Sequence, residues 1–238
     1  MYTLFIEKDR RQEGPPIKTL DIEKIIENKY SLLLFSLILL IVLSPVVDEY
    51  RLLAFFAESF LFMAIIVIML RILGAGRKLF AISVSFACFG MFFHYLATFI
   101  VGNKYVGLLA LFMYMLYIAI AIIFMLKQIF SEKRVTGDTI KGSISIYLLI
   151  GIWWQIFYTA IWVINPASFI LHVNRIDSPD FFYFSFTTMT TLGYGDVIPK
   201  TYTAKTAAIL QAVTGQMYLA ILVARLVGLH IAHRYNKD

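Results

Sequence analysis

Between Thr187 and Thr201 the chain reads TTMTTLGYGDVIPKT, with five threonines, two glycines separated by one residue, an aspartate and a proline. Gly193 and Gly195 bracket Tyr194, and glycines so placed admit left-handed backbone dihedrals that alternate with ordinary ones. Such alternation points successive carbonyls the same way. A ring of strands built like this could replace the water around a cation, so the chemistry on offer is coordination by main-chain oxygen.

The segments around this run decide where that chemistry takes place. The 238 residues are 60% hydrophobic and 15% charged, with a mean hydropathy of +0.78, far outside ordinary globular usage, so a bilayer is the expected solvent. The net charge of +6 does not call for nucleic acid, because the positions of the basic residues relative to the apolar runs account for it as topology. The single cysteine, Cys88, has no partner within the chain and reads as a small buried hydrophobe. Nothing at the N-terminus has the order of a removable signal peptide, so the first apolar run is expected to remain as a membrane helix.

A helix crossing ~30 Å of hydrocarbon needs about 20 apolar residues. Six segments qualify: Tyr30–Val47, Leu52–Leu73, Leu79–Val101, Tyr105–Phe130, Ile144–Ile164 and Thr206–His230. A seventh, Phe181–Met189, is too short to span and is expected to be re-entrant, buried in protein. Six spans place both termini on one side. With that side cytoplasmic, the inside holds 16 of the 21 Lys and Arg, and the outside holds Arg51, Lys104, Arg175, Lys200 and Lys205. The positive-inside rule favours this orientation in the plasma (inner) membrane and puts the quoted run on the outer face. The expected organisation is an N-terminal segment (1–29) with an interfacial helix, a peripheral four-helix unit (30–130), a cytoplasmic linker (131–143), a two-helix unit carrying the re-entrant segment (144–231) and a short tail (232–238).

Ser178, Pro179 and Asp180 read as N-cap, first helical position and an acid suited to the start of the short helix. Its C-terminal end then points inward, and its negative dipole end faces the depth at which a dehydrating cation most needs stabilising. The chain must return outward through Thr191–Gly195, and non-helical backbone at that depth is tolerable only where its carbonyls line a polar cavity.

Thr190-Thr191-Leu192-Gly193-Tyr194-Gly195-Asp196, with a short helix before it and a span after it, resembles the potassium-channel selectivity filter. The resemblance implies an all-α integral membrane protein, six transmembrane helices plus a re-entrant pore helix and an extended filter, assembled as a homotetramer around a central pore. It implies potassium sites built by the carbonyls of Thr191, Leu192, Gly193 and Tyr194, with the Thr191 hydroxyl, in a filter completed by Gly195. Thr190 would end the pore helix. Tyr194 would pack on Tyr183 and Phe184, which stand where the family usually has a tryptophan pair; Tyr183 would offer its hydroxyl to Asp196. Thr187 stands where some relatives have a glutamate that braces this aspartate. Leu192 replaces the more usual valine or isoleucine. Gly215, 20 residues after Gly195, stands at the offset of the family's inner-helix hinge, with close helix packing as the other reading. Leu222 and Ala224 are the candidate gate residues.

The layout resembles that of voltage-gated members, but their arginine-bearing fourth helix is absent. Between Lys104 and Lys127 there is no charge, and each charge moved through the field is worth ~2.3 kcal/mol per 100 mV. Steep voltage gating of that kind therefore has no source of energy. Within the peripheral unit, Glu58 and His94 each lie about 10 Å deep, so the two could pair, or each could bond to backbone or a hydroxyl. His230 and His233 read as interfacial anchors beside Arg234, with a metal or proton sensor as the alternative. The reading assigns no catalytic residue and no cofactor; potassium enters as the permeant ion, and the partners are copies of the chain and lipid. The competing readings are the conducting subunit of a potassium uptake transporter, although that architecture repeats the motif within one chain, and a haem-bearing membrane redox protein, which usually wants paired intramembrane histidines.

Overall fold

A computed structural model describes residues 30–47, 103–132, 134–171 and 180–235, with scattered positions between 81 and 96. Glu58, His94, most of the second and third expected spans, and Ser178 and Pro179 lie outside the described residues. The described chain is mostly helical: α1 (Ser31–Val47), α2 (Lys104–Ser131), α3 (Gly137–Ile164), α4 (Phe181–Met189) and α5 (Tyr202–Tyr235). Among the described residues, α2, α3 and the stretch Tyr202–Leu229 of α5 are long and apolar enough to cross a membrane, and Ser31–Val42 is a shorter apolar stretch. Large apolar side chains such as Phe35, Phe112, Ile123, Ile209 and Val213 face outward, as expected of a surface that meets lipid. Cys88, expected in the interior, is exposed; in a bilayer a small apolar residue meets lipid as readily as protein.

The helix ends follow local chemistry. The Asn103 side chain accepts the Tyr105 amide at 2.9 Å to start α2. Thr136 and Thr139 form a reciprocal capping box, so α3 starts at Gly137 and residues 137–143 of the expected linker are helical. This corrects the boundary: only a few residues separate α2 from α3, polar though that stretch is.

The chain alternates direction, and its ends gather accordingly. The start of α1, the end of α2, the start of α3 and the C-terminal half of α5 meet at one end. There the Tyr30 amide donates to Asp138, Lys141 donates to Ser31 at 2.9 Å, the Tyr218 hydroxyl donates to the Ser143 carbonyl at 2.7 Å and Arg225 donates to the Glu132 carbonyl at 3.1 Å. Gly142 makes the approach possible, because a Cβ there would lie 2.8 Å from the Tyr30 ring and 2.9 Å from Ile129. Tyr30, the first residue of the first expected span, is fully buried in this joint. Asp138 puts a carboxylate between two helix N-termini, where negative charge is stabilised. Halfway along, Trp153 donates to the Met115 carbonyl at 3.1 Å, which fixes α3 against α2 of the same chain.

At the opposite end, Pro166–Ser168 forms a single 3-10 turn, and β1 (Phe169–Leu171) pairs antiparallel with β2 (Val197–Pro199) in the register Phe169 with Pro199 and Leu171 with Val197. The all-α expectation is thus qualified by one small ribbon. The Ser168 carbonyl also accepts the Lys200 amide at 2.8 Å, so the chain after the glycine run is tied to the end of α3.

Candidate functional site

The short helix α4 starts at Asp180. Its carboxylate accepts the Tyr183 amide at 2.8 Å, so this residue is itself the N-cap; the expectation of a cap at Ser178 moves by two residues, because Asp reaches the third amide as serine does. Phe181 and Phe184 enter an aromatic cage with Tyr158 and Phe169, with ring centroids 4.8 to 6.3 Å apart. Phe181 also meets Trp162, near the ribbon end of α3. At its other end α4 brings Met189 against Gly151 and Gly215, where added Cβ atoms would lie 3.1 Å from the Met189 methyl and 2.5 Å from its Cγ. Gly151 is 13 residues from Ile164, or about 20 Å along α3. The helix therefore stops near mid-depth, and the chain that follows travels back toward the ribbon.

That returning chain is held by its amides. The Thr187 carbonyl accepts from Leu192 N at 2.8 Å and Gly193 N at 3.2 Å, and the Thr188 carbonyl accepts from Thr191 N at 3.1 Å. Thr191, Gly193 and Gly195 have φ of +62°, +52° and +82°, whereas the residues between them do not have positive φ. Left-handed and ordinary conformations alternate along the run, the arrangement that turns successive carbonyls to one side. Among the described residues, nothing in the chain donates to the carbonyls of Thr191, Leu192, Gly193 or Tyr194. These oxygens belong to an exposed segment and stay available to a ligand. Left-handed backbone costs a non-glycine residue about 1–2 kcal/mol, so Thr191 is strained in a conformation that serves this geometry.

Around the run, the Tyr183 and Tyr194 rings stack at 6.3 Å and 4°, and the Tyr183 phenol lies near the Asp196 carboxylate. Phe184, expected beside Tyr194, faces the aromatic cage; neighbours on a helix point about 100° apart, so only one of the pair can meet the returning chain. The Thr187 hydroxyl donates back to the Tyr183 and Phe184 carbonyls at 3.0 and 3.1 Å. Its support for the run therefore comes from its carbonyl, and its side chain does not reach Asp196. Thr190 caps α4, and its hydroxyl donates to the Phe186 carbonyl at 2.7 Å; the Thr191 hydroxyl donates to the Thr190 carbonyl at 2.6 Å, leaving its oxygen lone pairs to accept. Gly215 is a close-approach site, with the Met189 carbonyl oxygen 3.0 Å from where its Cβ would stand. Leu222 is half-buried and Ala224 exposed on the C-terminal half of α5.

A buried polar cluster behind α4 was not expected from the sequence. Gln211 accepts from the Tyr158 hydroxyl at 2.6 Å and donates to the Ser185 carbonyl and hydroxyl at 2.9 and 2.6 Å, and Ser185 donates to the Gly151 carbonyl at 2.6 Å. The available signal was a glutamine alone between apolar residues in AAILQAV.

Comparison with known proteins bears on this half of the chain. Residues 146–230 match the ion channel family. The chain is 32% identical over 120 residues to the voltage-gated potassium channel KCNC4 of Rattus norvegicus, covering 44% of this chain and 18% of that protein. It is 30% identical over 120 residues to KCNC1 of Mus musculus, which covers 44% of this chain and 22% of the relative. To the two-pore potassium channel 4 of Arabidopsis thaliana it is 46% identical over 48 residues, 20% of this chain and 17% of the relative. The match thus spans less than a quarter of the length of each of these relatives. No solved structure matches. Residues 146–230 of this multi-pass membrane chain are thus similar to the ion channel family, and the relatives matched are potassium channels.

Proposed function

We propose that the protein is a homotetrameric potassium channel that conducts passively through a filter built by Thr191, Leu192, Gly193, Tyr194 and Gly195. The observation that carries this reading is the alternation of positive φ at Thr191, Gly193 and Gly195, with the amides of Leu192 and Gly193 held by Thr187 and the neighbouring carbonyls free. One chain supplies one strand of carbonyls, and four around an axis replace the water of a dehydrated ion. Potassium is the permeant ion and no other cofactor takes part. Side-chain identity at Leu192 matters little to coordination, because the main chain does the work. The end of α4 near mid-depth adds its negative dipole end where the ion is least hydrated. Tyr183, Phe184, Thr187, Thr190 and Asp196 hold the filter from behind.

The front of the molecule has a different role. The matched KCNC relatives carry the name voltage-gated, yet α2 has no charge between Lys104 and Lys127. Without charge to move there, opening is governed by something other than an arginine sensor in this helix. Leu222 and Ala224 are the candidate gate residues, and Gly215 allows close packing or bending of α5. Reconstitution into planar bilayers with potassium on one side and sodium on the other tests the reading. A reversal potential close to the potassium equilibrium value is expected, and one near zero would refute selectivity.

A further inference from the structure

We propose that Gln211 is a positioning residue for ion selection: through Ser185 it sets the height of α4 against α5, and with it the filter. The inference rests on the channel reading above and identifies the part of the pore that holds the filter to its wall.

Tyr158, Ser185 and Gln211 each have no exposed surface, and each belongs to a different helix, α3, α4 and α5. The Gln211 carboxamide has its orientation dictated. The Tyr158 hydroxyl donates to its oxygen at 2.6 Å, and its nitrogen faces two acceptors on Ser185, the carbonyl at 2.9 Å and the hydroxyl at 2.6 Å. A flipped amide would set its oxygen against the Ser185 carbonyl oxygen, an acceptor against an acceptor. Ser185 spends its own proton on the Gly151 carbonyl at 2.6 Å, so the hydroxyl both accepts and donates and the cluster closes. In the apolar core of a membrane protein, where general adhesion between helices is weak, such bonds set the register of one helix on another.

The link onward to the filter is short. Ser185 lies two residues before Thr187, whose carbonyl holds the Leu192 and Gly193 amides at 2.8 and 3.2 Å. One turn further along α5, Gly215 and Gln216 meet the Met189 carbonyl, the nitrogen of Gln216 at 3.5 Å. The inner helix therefore grips the pore helix at two levels, by hydrogen bonds at Ser185 and by close contact at Met189. A pore helix that slides or tilts carries with it the carbonyl that positions two filter amides, and the carbonyl ring loses the spacing on which discrimination depends. Tyr158 also packs on Phe184 at 4.9 Å, so the same hydroxyl-bearing ring braces α4 from the other side.

The test compares wild type, Gln211→Met and Ser185→Ala as full-length protein in planar bilayers with potassium opposite sodium. Gln211→Met keeps the length of the side chain and removes every bond it makes; Ser185→Ala keeps the Gln211 bond to the backbone and removes the hydroxyl. We expect the sodium-to-potassium permeability ratio to rise about fivefold in Gln211→Met, the factor that ~1 kcal/mol represents, and by less in Ser185→Ala. The extra thermal stability that potassium confers on the tetramer over sodium is expected to shrink in the same order, and this reading serves if a variant assembles too poorly for recording. Ile118→Ala, a cavity in α2 away from the pore, is the control for lost packing alone. Wild-type ratios in both variants, or an equal rise in Ile118→Ala, would overturn the inference and leave the channel reading standing. A wild type that does not discriminate would refute the channel reading and this inference with it.

Discussion

Replacing Gly215 by alanine sets two magnitudes against each other. An alanine in a helix interior is favoured over glycine by ~1 kcal/mol. The new methyl, however, would lie 2.5 Å from Met189 Cγ and 3.0 Å from the Met189 carbonyl oxygen. The methionine can swing away, but the backbone oxygen belongs to the end of α4 and has to shift by a few tenths of an ångström. Overpacking of this kind costs about 1–3 kcal/mol, so the expected net effect is a loss of up to ~2 kcal/mol, or a midpoint lowered by roughly 2–4 °C per kcal/mol for a chain of this size. Thermal unfolding of the purified protein in one detergent and one salt, wild type against Gly215→Ala, measures it. Repeating the substitution in a Met189→Ala background removes the closer contact, and the loss should then shrink. A rise in midpoint by the full helix-propensity gain would refute the close approach. A hinge without packing predicts that same rise together with impaired conduction, so stability and current read together separate the two roles.

Three further outcomes follow from the same geometry. Tyr183→Phe removes the hydroxyl that lies near Asp196 while keeping the ring stacked on Tyr194, so selectivity should persist while current decays faster under sustained conduction; an unchanged decay would mean that the hydroxyl does not brace the run. Arg225→Ala removes both the bond to the Glu132 carbonyl and a stack 4.5 Å over the Phe130 ring, so it should destabilise the protein by about 1–2 kcal/mol and alter open probability, with Arg225→Lys restoring only part; a thermal midpoint equal to wild type would refute the joint. Current–voltage records over a 200 mV range should show open probability changing only shallowly, because no charge lies within α2 between Lys104 and Lys127, at ~2.3 kcal/mol per charge per 100 mV; a steep sigmoid would contradict the account.

What the sequence made legible was what residue type alone dictates. Gly193 and Gly195 announce left-handed backbone because few other residues go there willingly, and the apolar lengths of α2, α3 and α5 announce membrane crossing. Thr191 shares the same left-handed conformation, and no threonine advertises that, since the tie of its amide to Thr188 and the neighbouring bonds to Thr187 force it. The Tyr158–Gln211–Ser185 cluster depends on the register of three helices and is invisible until they are packed. Likewise, the division of labour between Tyr183 and Phe184 depends on how α4 is rotated, which sequence spacing leaves free. The early start of α3 was written locally, in the Thr136 and Thr139 pair, but the polarity of 131–143 masks it. The strands β1 and β2 have three residues each, too short for any periodic signal.

The central claim is that main-chain carbonyls from Thr191 to Tyr194 hold the permeant ion. Anomalous diffraction from crystals of the assembled protein soaked in thallium, a heavy ion of potassium-like size, tests it most directly. The account predicts anomalous peaks strung along the fourfold axis between successive carbonyl layers of these residues, displaced by potassium and not by sodium. Peaks confined to side chains such as Asp196, or an axis without bound ion, would contradict it.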